Sequence, residues 1–385
     1  MAIAQPKSAG RDAEIVVSVA PLSDREDLAA DWQDLEARAD TTFFHSWQWV
    51  DCWLSTIDDQ PQLLTARQGD AVVGLALLVT ATRRFGLLTS TELFVNETGD
   101  PQKDIITIEY NGILADRDVA AEVTRACLEA FNDRASPVRR SVHWDELCIR
   151  GVPASYRDLA RELGYRVRLL AHDPSGAVDL AAVRRSGKAY LEHLSANTRY
   201  QIRRAMRLYE ARGELEMTRA ASVEQALAFL DELSVLHQRY WTGRGEPGAF
   251  AYPFFVRFHR ALIARCLPTG TVEVARISAG GAPIGYLYNF IYRGRVYYYL
   301  SGFAYERDPK LKPGMVSHYL CIDSHLAGGA DVYDFMAGEN RYKTSLGSPG
   351  ADMLAIVLER PTLKVRLKDV LRALKRMASE SRSSR

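Results

Sequence analysis

One order of helices and strands occurs twice along this chain, and that repetition limits the possible folds more than any other feature of the sequence. In each half, hydrophobic spacing predicts helices, then a strand hairpin, then a helix between two further strands. The elements predicted for the first half are strand 15–19, helices 22–39 and 47–56, strands 62–67, 72–79 and 104–110, helix 119–132, strand 142–149, helix 155–163 and strand 165–170. Those predicted for the second half are helices 187–213, 223–240 and 252–265, strands 272–277, 283–292 and 295–303, helix 313–326, and strands 332–336 and 353–358.

A short sequence echo accompanies the repeated order. Ala66-Arg67 leads to Val73-Gly74, and Ala275-Arg276 leads to Ile284-Gly285. Any β-hairpin can show this pattern, but a chain of 385 residues also exceeds one ordinary core. We therefore predict an α/β (α+β) fold with two tandem domains, each a mixed sheet flanked by helices. The predicted segments are a disordered N-terminus (1–13), the two domains (14–178 and 179–360) and a basic amphipathic tail (361–385).

The composition is that of an ordinary globular protein. Hydrophobic residues make up 47% and charged residues 25% of the chain, and the formal net charge is only +1, so nucleic acid is not an expected partner. The five cysteines are widely spaced without a C-x-x-C pair, which predicts neither disulfides nor a cysteine zinc site. The polar start lacks an export signal and no apolar run reaches membrane-spanning length, so we expect a cytoplasmic protein.

A candidate anion site lies where the aromatic strand 295–303 leads into the helix predicted from Pro313. Proline suits a first helical turn, and Gly314 allows a ligand to approach the backbone closely. The N–H groups of this turn, together with Lys310 and Lys312, are suited to bind a pyrophosphate. The alternative is that Pro-Gly only marks the beginning of a helix.

The segment that follows the predicted strand 332–336 is the strongest candidate for catalytic chemistry. After Gly338 it presents Glu339, Tyr342 and Lys343, a possible acid, base and cation at one strand end. Ligands commonly bind at such strand ends in open α/β sheets. A charged surface loop is the alternative interpretation.

Together these motifs resemble the CelD/BcsL group of GNAT-related acyltransferases, which is distantly similar to the FemAB peptidyltransferases. The stretches that carry the resemblance are 43–53, 194–213, 283–286, 312–314 and 333–343. The resemblance implies two tandem GNAT-like domains, of which the second binds acyl-CoA, most simply acetyl-CoA. It implies that the pyrophosphate of CoA is held by Lys312, Gly314 and the following residues Met315 and Val316.

Acyl transfer from a thioester requires a base for the nucleophile and a donor for the developing oxyanion. Glu339 is our choice for the base, and Asp334 is a second choice, although an Asp within a short strand more often anchors structure. Lys343 is suited to stabilise the tetrahedral intermediate, and Tyr342 to protonate the leaving thiolate. His318 and His325 lie on one helical face without a third ligand at suitable spacing, so we expect no metal site.

Two further regions are candidates for binding the acceptor. Arg199 and Arg203 belong to a predicted helix whose cationic face is either solvated or turned towards an anionic acceptor. Trp241 and Arg244 lie in a glycine-rich loop, a common setting for binding residues. The aromatic run 43–53 is expected to be core and not a sugar-stacking platform.

The tail 361–385 carries eight basic and two acidic residues with leucines at helical spacing. It either contacts an anionic membrane surface or a protein partner, or is a frayed basic end.

The predicted function is transfer of an acyl group from acyl-CoA to an amine or hydroxyl of a small molecule, a nucleotide-sugar or a polysaccharide precursor, in cellulose or exopolysaccharide synthesis. Two alternatives are a Fem-like transferase that uses aminoacyl-tRNA and a non-catalytic accessory protein of polysaccharide assembly.

Overall fold

The computed structural model describes residues 13–22, 24–85, 88–338, 341–360, 365 and 367–368. It divides into two compact units. The first takes the described residues up to Trp47, Ile57–His172 and those from Met353 onwards; the second takes Gln48–Thr56 and Asp173–Asp352. The domains predicted from the sequence were continuous, whereas each unit here is assembled from separate stretches of chain.

The elements follow the chain in order. The first part of the chain contains β1 (Ile15–Pro21), α1 (Arg25–Arg38), α2 (Trp47–Thr56), β2 (Gln62–Gln68), β3 (Ala71–Phe85), β4 (Leu88–Val95), β5 (Leu114–Ala115), α3 (Ala120–Asn132), α4 (Pro137–Ser141), β6 (Glu146–Val152), α5 (Ala154–Glu162) and β7 (Arg166–Asp179). The rest contains α6 (Leu180–Ser186), α7 (Ala196–Glu210), β8 (Leu215–Arg219), α8 (Val223–Thr242), α9 (Pro253–Cys266), β9 (Val272–Ala279), β10 (Ala282–Tyr292), β11 (Arg295–Phe303), α10 (Pro313–Ala327), β12 (Val332–Ala337), α11 (Arg341–Leu346) and β13 (Ser348–Glu359).

Each unit contains a mixed sheet. In the first unit the strand order is β1-β2-β3-β4-β6-β13, and only β4 and β6 are parallel. In the second unit the order is β8-β9-β10-β11-β12-β7, and only β11 and β12 are parallel. A parallel pair needs a crossover connection, which α3 and α10 provide. The predicted mixed α/β fold class and the repeated order of elements are confirmed.

Several local predictions were wrong. The α-helix predicted over 187–213 begins only at Ala196, and strand β8 and helix α11 were not predicted. The segment 104–110 is not a strand, because it forms a single 3-10 turn at Asp104–Ile106 and then takes positive φ at Thr107 and Tyr110. Strand β4 was missed because Glu92 interrupts its apolar pattern. In the folded protein this carboxylate is buried, with Arg83 Nε at 2.8 Å.

A row of three buried glutamates crosses the sheet of the first unit. Glu92, Glu146 and Glu359 are in register on β4, β6 and β13. Arg168 Nε lies 2.9 Å from Glu359, and Lys368 Nζ lies 2.8 Å from Glu146. These two cations balance carboxylates that would be costly to bury unpaired. The start of the predicted basic tail is thus held by a buried ion pair, and its remainder from 369 lies outside the described residues.

The aromatic run of the first half is core, as predicted. Phe43, Phe44, Trp49 and Trp53 are buried, and Trp47 is half-buried. Within the second unit, the centroid of the Trp49 ring lies 4.8 Å from that of Phe258. All five cysteines are buried, and none of them forms a disulfide. Among the helices that the structure describes, none has the length and apolarity required to cross a membrane.

Replacing Gly302 by Ala should destabilise the protein by about 1–3 kcal/mol, because a Cβ there would lie 2.5 Å from the carbonyl oxygen of Leu233 in α8. A backbone atom cannot move aside without separating α8 from β11. The matched control is Gly176→Ala in β7, where the nearest atom would be 3.7 Å away. Urea denaturation measures both free energies of unfolding, and equal values for the two variants would contradict this prediction.

Candidate active site

The parallel strands β11 and β12 separate at their carboxyl ends. They pair only between Arg295–Tyr297 and Val332–Asp334, although both strands continue. An extra residue, Tyr299, bulges β11 against β10, and Met336 of β12 has a φ of 58° where the register with β7 shifts. Bulges bend strands and end pairing. The resulting gap between 298–303 and 335–337 is called the strand cleft below.

His318 of α10 lies among the aromatic rings that line the strand cleft. Its ring centroid is 4.4 Å from that of Tyr298 and 5.3 Å from that of Phe335. Its Nδ1 is 3.0 Å from the hydroxyl of Tyr333. Burial, with a smaller contribution from the charge of Lys343, lowers the pKa of His318 to about 3. The imidazole is therefore neutral at physiological pH and is fully buried, more deeply than its position on the helix predicted.

Lys343 of α11 extends to the end of β12. Its Nζ donates a hydrogen bond to the carbonyl oxygen of Ala337 at 2.5 Å and lies 6.0 Å from the Tyr298 ring centroid. The side chain is only 7% exposed. An ammonium group thus sits beside the strand cleft in a desolvated setting, where its electrostatic effect is larger than in water.

Asp334 anchors the beginning of the separation. Its Oδ2 is 2.9 Å from Arg295 Nη1, and its Oδ1 accepts a hydrogen bond from the backbone N–H of Met336 at 2.7 Å. The carboxylate is 1% exposed and holds the residue with positive φ in place. These contacts fit a structural role for Asp334, which the sequence analysis gave as the alternative to a role as the catalytic base.

Two predicted catalytic groups cannot be placed. Glu339 lies outside the described residues, as does the side chain of Tyr342, whose backbone belongs to α11. Their roles stay predictions.

The predicted anion site lies at the beginning of α10, as the Pro-Gly signal indicated. Lys312 is the N-cap residue, Pro313 occupies the first turn, and the first helical bond runs from Val316 N–H to Lys312 O at 3.0 Å. The N–H groups of Gly314 and Met315 precede that bond, so they have no intrahelical acceptor. A Cβ on Gly314 would lie 3.2 Å from the Phe303 ring, which places this turn against the end of β11.

The loop before α10 is held by polar contacts. Arg212, two residues beyond the end of α7, makes a two-pronged ion pair with Glu306, with N···O distances of 2.8 and 3.1 Å. Asp308 accepts a hydrogen bond from the N–H of Lys310 at 2.8 Å.

The prediction that Trp241 lies in a loop was wrong, because Trp241 belongs to the last turn of α8, whereas Arg244 follows that helix. This Trp241–Arg244 segment adjoins the exit of β11. The guanidinium of Arg244 lies 3.8 Å from the Tyr240 ring centroid, and Tyr240 lies 5.6 Å from Tyr305. Tyr305 in turn is 6.1 Å from Phe303, and Trp241 next to Tyr240 is 38% exposed. A run of aromatic rings in contact with one another therefore extends from the Trp241–Arg244 segment to the strand cleft.

The predicted acceptor arginines lie on α7. Arg199 is partly buried and Arg203 is exposed. Burial raises the pKa of Tyr319 in α10, and the charge of Arg203 opposes this shift. Arg203 therefore lies on the side of α7 that faces α10.

Sequence reasoning missed a polar region in the first unit. Strands β4 and β6 also pair over only three positions, Glu92–Phe94 with Glu146–Cys148. Beyond β4, Glu97 is 3% exposed, its Oε2 has no hydrogen-bond partner, and Arg150 Nη1 lies 3.7 Å from its Oε1. Burial raises the pKa of Glu97 to about 8, against the opposing charge of Arg150.

The backbone around Glu97 is unusual. Asn96, Thr107 and Tyr110 have positive φ, the left-handed conformation that non-glycine residues seldom adopt. Asp104 holds the loop by accepting hydrogen bonds from Thr98 N–H, Thr98 Oγ1 and Gly99 N–H, each at 2.8 Å. Strain of this kind concentrates at functional sites. The Gly99-Asp100 and Asn111-Gly112 pairs were the available sequence signal, because such pairs favour turns over a strand.

Comparison with known proteins agrees with this geometry. Residues 196–344, from α7 into α11, match the acetyltransferase (GNAT) domain family. Among curated proteins, no sequence matches the chain significantly.

Solved structures share the fold at low identity. The chain is similar to FemX, with 11% identity, a TM-score of 0.55 and coverage of 89% of this chain and 96% of FemX. L-PGS from Bacillus licheniformis has 14% identity and a TM-score of 0.51, with coverage of 91% of this chain and 96% of that protein. A conserved protein of unknown function from Bacteroides thetaiotaomicron has 10% identity and a TM-score of 0.51, with coverage of 90% and 100%.

Residues 196–344 are therefore similar to a GNAT-type acetyltransferase domain.

Proposed function

We propose that this protein is an acyltransferase that binds acyl-CoA at the strand cleft of its second unit and transfers the acyl group to an amine or hydroxyl. The observation that carries the proposal is the separation of β11 from β12 directly beside the first turn of α10. The GNAT-type domain covers all these elements and supports the same function.

The residues present fit this co-substrate. The strands β11 and β12 diverge after Tyr297 and Asp334, and the amide-bearing pantetheine arm is proposed to lie in the strand cleft that this divergence opens. The N–H groups of Gly314 and Met315 and the side chains of Lys310 and Lys312 suit the pyrophosphate. A side chain at position 314 would fill the space against Phe303.

In the proposed reaction, the nitrogen or oxygen of the acceptor attacks the thioester carbonyl, the C–S bond breaks, and CoA leaves as the thiol. Glu339 takes the proton of the acceptor, and Tyr342 supplies one to the sulfur. Lys343 stabilises the negative charge that develops on the carbonyl oxygen, a role its buried ammonium is suited for. His318 is given no role as a base, because burial lowers its pKa to about 3 and makes the imidazole a weak proton acceptor.

The acceptor site proposed here consists of the Trp241–Arg244 segment together with Arg199 and Arg203 of α7. Exposed aromatic and cationic groups suit an acceptor that carries a sugar and a negative charge. A nucleotide-sugar or polysaccharide precursor meets that description, as in cellulose or exopolysaccharide synthesis.

Calorimetric titration with acetyl-CoA tests the co-substrate site. We expect the wild type to bind, Gly314→Trp to abolish binding, and Lys312→Ala to weaken it roughly tenfold, the value of one hydrogen bond to a charged group. The control is Arg293→Asn, which removes a cation at the opposite end of β11 and should bind like the wild type. Failure of the wild type to bind, or undiminished binding by Gly314→Trp, would overturn the site as placed.

A further inference from the structure

A second cluster of reactive side chains lies in the second unit, among residues that have no role in the proposed acyl transfer. Glu273 of β9 and Cys321 and His325 of α10 are all buried, and one ligand atom from each lies within 4.8 Å of the others. Glu273 Oε1 is 3.1 Å from His325 Nε2. Cys321 and His325 are four residues apart on one helix, so both side chains lie on the same helical face.

We propose that Glu273, Cys321 and His325 bind a transition-metal dication, with Zn²⁺ best suited to the donor set. Thiolate, imidazole and carboxylate are the three side-chain ligands that zinc takes in proteins. At metal–ligand distances of about 2.0–2.3 Å, tetrahedral ligand atoms lie roughly 3–4 Å apart. The cluster therefore needs only small side-chain movements to enclose the ion.

Asn289 of β10 supplies an independent observation. Its Nδ2 donates to Glu273 Oε1 at 3.0 Å and to Cys321 Sγ at 3.4 Å, so the amide points into the cluster. Its Oδ1 is buried and has no hydrogen-bond partner. A half-turn of the amide would direct this oxygen towards the ion as a fourth ligand, which explains an otherwise costly orphan acceptor.

The surroundings also fit a metal site. Arg219 binds the second oxygen of Glu273, as an outer-shell partner does for a ligating carboxylate. A groove of about 570 Å³ reaches Glu273, His325 and Arg219 and provides an entry path.

Metal binding must be balanced by proton release. A thiol binds a metal as its thiolate, so the S–H proton of Cys321 must be displaced by the ion. On binding, the S–H proton leaves to solvent and a metal–thiolate bond forms. His325 ligates through Nε2, with its proton moved to Nδ1. The bound ion would join α10 to β9, and thereby brace the helix whose first turn forms the proposed CoA site.

The test uses the full chain after dialysis against a chelator. We expect one equivalent of Co²⁺ to produce a thiolate-to-cobalt charge-transfer band with tetrahedral visible bands. We expect Zn²⁺ to bind with release of about one proton, measured by calorimetry in two buffers of different ionisation enthalpy. Absence of the thiolate band in the wild type would overturn the proposal without any variant.

Substitutions locate the site. Cys321→Ser should abolish the thiolate band, and His325→Gln should weaken Zn²⁺ binding at least a hundredfold, because losing outer-shell partners alone costs 10–100-fold. Cys266→Ser removes another buried thiol of the same unit and should leave the band unchanged. If Cys321→Ser does not fold, His325→Gln decides the question, and undiminished binding there would contradict the assignment. CoA binding is measured separately, so failure of either proposal leaves the other testable.

Discussion

Lys343→Met should lower kcat for acyl transfer about 10²–10³-fold while changing acetyl-CoA affinity far less. The reason is the position of its ammonium, which is 7% exposed and held by Ala337 O at the end of β12. Loss of one preorganised oxyanion donor typically has an effect of this size. Because the charge on the carbonyl oxygen develops only during the reaction, the loss should appear in kcat and not in ground-state binding.

The measurement combines steady-state kinetics on a panel of amine and sugar acceptors with calorimetric binding of acetyl-CoA. Lys310→Met is the matched control, because it removes an exposed lysine beside the proposed pyrophosphate site and should affect binding more than kcat. Thermal denaturation excludes misfolding. An unchanged kcat for Lys343→Met would remove Lys343 from the chemistry, whereas a parallel loss of affinity and fold would make its role structural.

Glu97→Gln should remove a stability penalty that grows with pH. Burial raises the pKa of Glu97 from 4.5 to about 8 in the folded protein. Above pH 4.5 the unfolded chain releases this proton while the folded protein retains it until about pH 8. Since the unfolded state then binds fewer protons, the free energy of unfolding falls as pH rises across this window. Each pKa unit corresponds to about 1.4 kcal/mol, so the wild type should lose about 3–5 kcal/mol that Glu97→Gln keeps.

Urea denaturation of both proteins at pH 5 and pH 8.5 measures this difference. The contributions of titratable groups that both proteins share cancel when the two changes in the free energy of unfolding are compared. The control Glu122→Gln removes an exposed carboxyl of the same unit and should shift stability equally at the two pH values. If Glu97→Gln and the wild type change in parallel with pH, Glu97 is ionised at neutral pH in the folded protein. A confirmed decrease would show that the buried carboxyl of Glu97 destabilises the folded protein at high pH. Destabilising features of this kind are often found at functional sites.

Much of the fold could be predicted from local pattern. The hairpin of β10 and β11, the Pro313-Gly314 helix start and the apolar strand 332–336 all appear at the predicted places. Each depends on short-range periodicity or on a residue with a narrow conformational preference, and both are properties of a few consecutive residues. Where a buried charge breaks the period, as Glu92 does in β4, the same reasoning fails.

The candidate site could be predicted only in part. The segment around Lys343 was recognised from its position after a strand, but its helix α11 was not expected. Glu97 was not singled out from the sequence, because a polar stretch gives no sign that one of its carboxylates will be buried. The grouping of Glu273 with His325, 52 positions apart in sequence, has no local signal at all.

The sequence by itself determined that this chain repeats one α/β unit, where most of its strands and helices lie, and that Pro313-Gly314 begins the helix next to an aromatic strand. Only the tertiary structure decided that β11 and β12 separate after three residue pairs, that Lys343 extends to the end of β12 beside the cleft, and that Glu97 is buried. The physical reason is range. Helical and strand periodicity depend on neighbours along the chain, whereas strand register, bulges and the desolvation of a charge depend on residues that meet only after folding.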